Sequence, residues 1–130
     1  MQHCIHLTGN EVTGIDGVLR AYEGCLPNLM LSGPTLLAPI LTTVTGLVAA
    51  AGCQPHRQRY TVLLVLTDGV LNDLDESIGA IIAASAQPMS VIIIGVGSAD
   101  FGDMAVLDAD KGLLKRGGRT AERDIVQFVA

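Results

Sequence analysis

The run Tyr60-Thr-Val-Leu-Leu-Val-Leu-Thr-Asp-Gly69 decides the fold class of this chain. Six consecutive apolar or β-branched residues predict a strand that is buried on both faces, as in a parallel sheet covered by helices. The strand ends at Thr67-Asp68-Gly69, which places a carboxylate where open α/β sheets bind their ligands. Asp68 is therefore the first candidate functional residue, although the same position also suits an ordinary helix-cap or turn aspartate.

The sequence on either side of this strand, at 60–66, alternates between helical and strand patterns. A second apolar run predicts another fully buried strand, and a helical pattern separates the two runs, so we expect parallel neighbours joined by a right-handed crossover. The predicted ranges are helices at 14–25, 36–50 and near 74–86, and the second strand at 90–96.

Smaller signals mark the ends of these elements. Pro39 is compatible with the first turn of its helix, because the first N–H groups lack intrahelical partners. Asp73 with Glu76 three residues later predicts a capping box. Asp100 is a candidate cap for a short helix carrying Phe101, Met104 and Leu107, and residues 121–129 fit either a short helix or a strand.

Composition limits the class of protein. A chain of 130 residues is the size of one domain and can bury a core. Hydrophobic residues make up 49% but aromatic residues only 3%, so the apolar content is aliphatic, as in helix-covered parallel sheets. The net charge of −5 argues against broad nucleic-acid binding.

Basic residues are concentrated towards the end of the chain. A solvated loop is the simpler interpretation of this cluster, and a contact for an anionic partner is the alternative. Five of the eight basic residues belong to it: Lys111, Lys115, Arg116, Arg119 and Arg123.

No apolar run is long enough to span a bilayer, and no secretory leader pattern is present, so we expect a cytoplasmic protein. Three cysteines without a CxxC pair do not predict a disulfide scaffold. Zinc could be held by Cys4, His6, Cys53 and His56, but their spacing matches no common zinc motif, and ordinary structural roles are favoured.

Enzyme signatures are absent from the sequence. Gly95-Val-Gly97 follows a strand, but Gly102 falls outside the GxGxxG spacing. The chain contains neither a GxxxxGK[ST] phosphate loop nor a GxSxG nucleophile elbow, and its histidines form no evident triad. A small α/β hydrolase or nucleotide binder therefore stays a minor alternative to a binding module.

Several segments resemble, in order along nearly the whole chain, the von Willebrand factor A-like domain of copines. They include Leu-Thr-Asp-Gly-Val at 66–70, and the especially specific one is Glu-Arg-Asp-Ile-Val-Gln-Phe-Val at 122–129. The resemblance covers the segments 15–22, 31–35, 63–70, 88–97, 99–104 and 121–129.

The resemblance implies a doubly wound parallel sheet with a metal-ion-dependent adhesion site at its carboxyl end. Mg²⁺ or Mn²⁺ is held in such domains by oxygen ligands from three loops. Thr35, in Gly33-Pro-Thr35, matches the threonine ligand of the family, and Asp68 matches its aspartate. A hydroxyl and a carboxylate are hard oxygen donors suited to Mg²⁺.

The chain departs from the family at the first metal loop, a DxSxS motif after the first, central strand. The nearest match, Asp75-Glu-Ser77-Ile-Gly79, follows the wrong strand and ends in glycine. We therefore expect a domain truncated at its amino end, with weak or no metal binding. Without the central strand, the strand at 60–66 has a bare edge that favours self-association.

The implied function is protein–protein interaction, without catalysis. In intact relatives the contact is metal-dependent, and two C2 domains, absent here, give Ca²⁺-dependent phospholipid binding at the plasma membrane. The alternative is the copine-like domain of a plant RING-type ubiquitin ligase that recruits a substrate or partner. No nucleic-acid partner is expected.

Overall fold

A three-stranded parallel sheet forms the centre of the computed structural model, which describes residues 2–130. The order of its strands is β1-β2-β5, and a separate two-stranded hairpin is formed by β3 and β4. In chain order the elements are α1 (Gly14–Cys25), α2 (Ala38–Ala51), β1 (Thr61–Thr67), α3 (Leu74–Ala84), β2 (Met89–Gly95), α4 (Gly102–Asp108), β3 (Lys115–Arg116), β4 (Arg119–Thr120) and β5 (Val126–Val129).

These elements confirm the α/β class and the predicted pairing. Strands β1 and β2 are parallel along their whole length, from Thr61 opposite Met89 to Thr67 opposite Gly95. Each predicted boundary lies within two residues of the observed one, and the undecided tail forms strand β5. Asp100 Oδ1 accepts a hydrogen bond from the N–H of Gly102, the first residue of α4, at 2.9 Å. The arrangement is that of a partial doubly wound sheet.

The chain divides into two compact units, Met1–Pro34 and Thr35–Ala130. The first contains α1 and a 3₁₀ turn at Leu26–Asn28. Helix α1 has the predicted bounds, but its apolar stripe is more than half exposed: Ile15, Val18, Leu19 and Tyr22. None of the helices within residues 2–130 is long and apolar enough to cross a membrane.

The second unit contains the core, which lies on one face of the sheet. Alternate residues of β2, namely Met89, Val91 and Ile93, are at most 1% exposed. They belong to one apolar cluster with Leu41 of α2 and Ile81 of α3. Complete burial of each such side chain stabilises the fold by about 1.5–3 kcal/mol, so helices α2 and α3 are fixed on this face.

The opposite face of β1 is open, so the prediction of a strand buried on both faces is wrong. Val62, Leu64 and Leu66 are 55%, 57% and 68% exposed. Since successive side chains of a strand point to opposite faces, the apolar run meets the core with alternate residues only. An uninterrupted apolar run therefore does not by itself establish that both faces of a strand are covered.

The two edges of the sheet differ. Along β5, Asp108 is buried, and its Oδ2 accepts hydrogen bonds from the N–H of Phe128 at 3.1 Å and from Nε2 of Gln127 at 3.2 Å. Along β1, no strand pairs on the side away from β2 within residues 2–130. A carboxylate thus occupies one edge, while the other offers its backbone groups to a further strand.

Arg123 joins the amino ends of the strands. Its guanidinium donates to the carbonyl oxygens of Gln87 at 2.6 Å and Met89 at 2.8 Å, and it lies over the ring of Tyr60. Tyr60 in turn hydrogen-bonds Ser90, and this contact, followed by that to Arg123, lowers the pKa of the Tyr60 phenol. Arg123 is therefore a structural residue and not part of a solvated cluster.

We expect Arg123→Ala to lower the free energy of unfolding by about 2 kcal/mol, because two charge-assisted hydrogen bonds to backbone carbonyls are lost. Urea denaturation followed by circular dichroism measures the change. Arg59→Ala is the matched control, since Arg59 is exposed in the loop before β1. Equal stability of the two variants would contradict the structural role of Arg123.

Candidate functional site

The loop before α2 and the loop after β1 are joined by reciprocal hydrogen bonds. The N–H of Thr35 donates to Oδ1 of Asn72 at 2.8 Å, and the N–H of Asn72 donates to the carbonyl oxygen of Thr35 at 3.0 Å. Asn72 follows Asp68 by four residues in the same loop. The two residues predicted as metal ligands are thus carried by two loops that are fixed to each other at the carboxyl end of β1.

Asp73 stabilises the start of α2, directly after the Thr35 loop. Its carboxylate is 7% exposed and accepts the N–H of Leu37 at 2.9 Å and the N–H of Ala38 at 2.8 Å. It also accepts a hydrogen bond from Oγ of Ser77 at 3.2 Å. The negative charge lies at the positive end of the dipole of α2, which adds to the stabilisation.

The predicted capping box of Asp73 and Glu76 is wrong. Asp73 occupies the N-cap position of α3, but its side chain makes no capping bond to the first turn of that helix. The carboxylate instead supplies the acceptor that α2 lacks, since the N-cap position of α2 is held by Leu37, which has no polar side chain. Asp73 therefore occupies the N-cap position of α3, whereas its side chain caps α2.

Thr35 and Asp68 present free oxygen donors. Both residues are exposed, and among residues 2–130 neither the Thr35 hydroxyl nor the Asp68 carboxylate makes a side-chain hydrogen bond. Both oxygens are hard donors that fit Mg²⁺ or Mn²⁺, and their loops are joined. They provide one carboxylate and one hydroxyl, which is a part of an octahedral shell. No cluster of three or more His, Cys, Asp or Glu suited to a metal occurs in the described residues.

The residues of the alternative zinc site are divided between the two compact units, with Cys4 and His6 in the first and Cys53 and His56 in the second. Nδ1 of His6 accepts the N–H of Gly9 at 2.8 Å, so this nitrogen is used in a local turn. Sγ of Cys25 donates to the carbonyl oxygen of Tyr22 at 3.0 Å, and the free thiols of Cys4 and Cys53 form no disulfide.

The basic cluster separates into residues with different environments. Arg123 is bonded to backbone carbonyls, as described above. Arg116 forms a salt bridge with Asp75 of α3, with Nη2 and Nε at 2.8 and 2.9 Å from Oδ2. This hydrogen bond lowers the pKa of the Asp75 carboxyl, so the contact is complete above the ordinary carboxyl pKa and weakens as pH falls through the lowered value. Lys111, Lys115 and Arg119 are exposed.

Comparison with known families identifies the family of this chain. The copine family model matches residues 2–130, which is nearly the whole chain. The chain belongs to the copine family. The partial parallel sheet is consistent with the predicted family. The matched range also includes both loops of the candidate site.

Curated copine relatives extend far beyond the length of this chain. Protein BONZAI 1 of Arabidopsis thaliana is 46% identical over 136 residues, covering 100% of this chain and 23% of that protein. Copine-A of Dictyostelium discoideum is 42% identical, covering 100% and 22%. Nicotinic receptor-associated protein 1 of Caenorhabditis elegans is 48% identical, covering 92% and 19%. This copine chain spans less than a quarter of the length of these relatives.

Sequence reasoning missed the residues that hold the site together. The sequence pattern does not single out Asn72, and it predicts that Asp73 caps α3, whereas the side chain caps α2. A signal for Asp73 was present, because the stretch Thr35-Leu-Leu-Ala38 before Pro39 offers no polar side chain at the N-cap position. A helix start without its own cap indicates an acceptor supplied from elsewhere in the fold.

Proposed function

We propose that this copine chain is a protein-binding module of the von Willebrand factor A type, and that it binds without catalysing a reaction. In this proposal Thr35 and Asp68 contribute to a metal-dependent contact with a partner. The observation that supports it is the pair of hydrogen bonds between Thr35 and Asn72, which fixes the two ligand-bearing loops at the carboxyl end of β1.

The chemistry of the donors supports a bridging metal. A divalent cation bound by one carboxylate keeps positive charge and open coordination positions, so an acidic side chain of a partner is a suitable additional ligand. Fixed loops reduce the entropy that is lost when the ligands are ordered around an ion. The name of one relative, a nicotinic receptor-associated protein, describes association with a protein and agrees with this class of function.

The proposed setting is the cytoplasm, with recruitment of longer copine proteins to the plasma membrane through C2 domains. The metal contact is proposed to require the DxSxS loop in addition to Thr35 and Asp68. That loop supplies a carboxylate and two hydroxyls, which offset the cost of dehydrating the cation.

We expect this chain by itself to bind Mg²⁺ and Mn²⁺ only in the millimolar range, because one carboxylate and one hydroxyl complete only part of the coordination shell. Titration calorimetry of the chain and of Asp68→Ala measures the affinity. Asp110→Ala is the control, since it removes one exposed carboxylate at another position. Micromolar binding that is lost in Asp68→Ala would show that the two loops suffice.

The binding role is tested with a longer copine chain that carries the DxSxS loop. Immobilised protein is exposed to a purified partner protein with Mg²⁺ or with EDTA. We expect capture with Mg²⁺, loss in EDTA and loss in Asp68→Ala. Capture that is unchanged by both treatments would contradict a metal-dependent contact.

A further inference from the structure

The segment 111–120 differs in charge from the remainder of the chain. It contains four of the eight basic residues and no acidic residue, although the chain contains 13 acidic residues. All other positions therefore combine four basic with 13 acidic residues. The net charge of −5 therefore includes one locally basic segment, with Lys111, Lys115, Arg116 and Arg119.

A short hairpin presents this charge. Lys115 pairs with Thr120 and Arg116 with Arg119 across β3 and β4. The connecting residues Gly117 and Gly118 have φ angles of 56° and 77°, and two successive residues at positive φ are typical of the tight type I′ hairpin turn. The hairpin thus displays its basic side chains from a defined turn.

Arg116 anchors the hairpin to α3. Its guanidinium is hydrogen-bonded to Asp75 and passes directly over Gly79, where a Cβ atom would lie only 2.7 Å from Nη1. The absence of a side chain at Gly79 lets the guanidinium lie against the helix. One arginine is therefore used to fix the hairpin, while Lys115 and Arg119 are left exposed.

A depression of about 280 Å³ adjoins the anchored hairpin. Its walls come from both α2 and α3 and from the two hairpin arginines. The helix residues that line it are small or apolar apart from the carboxylate of Glu76: Ala38, Thr42, Glu76, Gly79, Ala80 and Ile82. The surface therefore combines a small depression, in which Glu76 is the one acidic lining residue, with the exposed basic side chains of Lys115 and Arg119.

We propose that this surface, the hairpin 115–120 with the depression beside it, binds an acidic segment of another protein. Carboxylates of the segment contact Lys115 and Arg119, and one apolar side chain of the segment enters the depression. Charge complementarity favours an acidic partner, and the concave shape between two helices favours a peptide side chain over a flat lipid surface. A duplex nucleic acid is disfavoured by the excess of acidic residues over the remainder of the chain.

The probe for this surface is a short dye-labelled peptide of glutamate pairs separated by leucines, and binding is followed by fluorescence anisotropy in EDTA. We expect Lys115→Glu with Arg119→Glu to weaken binding about tenfold or more. Arg57→Glu with Arg59→Glu is the matched control, because it changes the sign of two exposed charges in the loop before β1. Binding should also weaken with rising salt, because the charges are exposed.

Two further comparisons make the test specific. Thr42→Phe fills the depression and should weaken binding about fivefold, whereas a peptide with alanine in place of leucine should bind equally to the Phe variant and to the unchanged chain. Circular dichroism verifies that each variant is folded. Because the measurement is made in EDTA, its outcome is independent of the metal contact at Asp68.

Three results would overturn this proposal. The first is no binding of the acidic peptide by the unchanged chain. The second is an equal loss of binding for the control Arg57→Glu with Arg59→Glu and for the hairpin variant. The third is binding of phosphatidylserine vesicles or duplex DNA through the hairpin without binding of the peptide.

Discussion

Replacement of Asp73 by alanine is expected to lower the free energy of unfolding by about 3 kcal/mol, the largest effect of any single polar substitution in this copine chain. The carboxylate is 7% exposed and satisfies the N–H groups of Leu37 and Ala38. Without it, two donors at the start of α2 lose their acceptor, and each buried unsatisfied group costs about 1–3 kcal/mol. The melting temperature should fall on the order of 10 °C.

The position of Asp73 also predicts a local effect. Because it fixes the first turn of α2 directly after Thr35, hydrogen exchange at Leu37 and Ala38 should accelerate more than exchange in β2. Asp103→Ala is the matched control, since Asp103 is a half-buried aspartate in the first turn of α4. Asp73→Asn should be intermediate, because it keeps one acceptor oxygen but loses the charge. An equal stability of the two alanine variants would contradict the capping of α2 by Asp73.

Self-association through β1 is the second large effect that we expect. The N–H of Thr61 donates to the carbonyl oxygen of Pro88, and the carbonyl oxygen of Thr67 accepts from the N–H of Val96. The backbone N–H and C=O groups of the odd-numbered residues of β1 therefore point towards β2. The alternation of a strand directs the N–H and C=O groups of Val62, Leu64 and Leu66 to the free edge. These residues also expose their apolar side chains, and β1 contains no charge or proline that would hinder pairing.

Light scattering and sedimentation of the unchanged chain should therefore show dimers or larger species at micromolar concentration. Leu66→Lys should shift the distribution strongly towards the monomer, because a charge on this strand opposes pairing. Leu47→Lys is the matched control, since Leu47 is 66% exposed on α2 and Leu66 is 68% exposed on β1. A monodisperse monomer with a sharp cooperative melting transition would contradict the prediction.

The parts of the fold that the sequence predicted are those set by local pattern. The apolar runs of β1 and β2, and the helical spacing between them, were sufficient to predict parallel neighbours, and the register confirms it. The position of Asp68 after β1 followed from the same run. Local periodicity determines the type of each element, and the rules of α/β connection then leave few arrangements.

The parts that the sequence did not predict depend on contacts between distant residues. Asp73 and Leu37 are 36 positions apart, and Arg123 reaches Gln87 over the same separation. Nothing in the local pattern of Asp73 distinguishes capping of its own helix from capping of α2. Likewise, the uninterrupted apolar run of β1 does not indicate that Val62, Leu64 and Leu66 on one face are exposed. Tertiary packing decides which of the distant residues come into contact.

The central claim is that Thr35 and Asp68 form part of a metal-dependent binding site on a copine module. Calorimetric titration of Mn²⁺ into a longer copine chain that carries the DxSxS loop tests it most directly, with Asp68→Ala and Thr35→Ala as variants. We predict micromolar affinity, its loss in Asp68→Ala and a weaker affinity in Thr35→Ala, with folding verified by circular dichroism. Affinity that is the same with and without the Asp68 carboxylate would contradict the account.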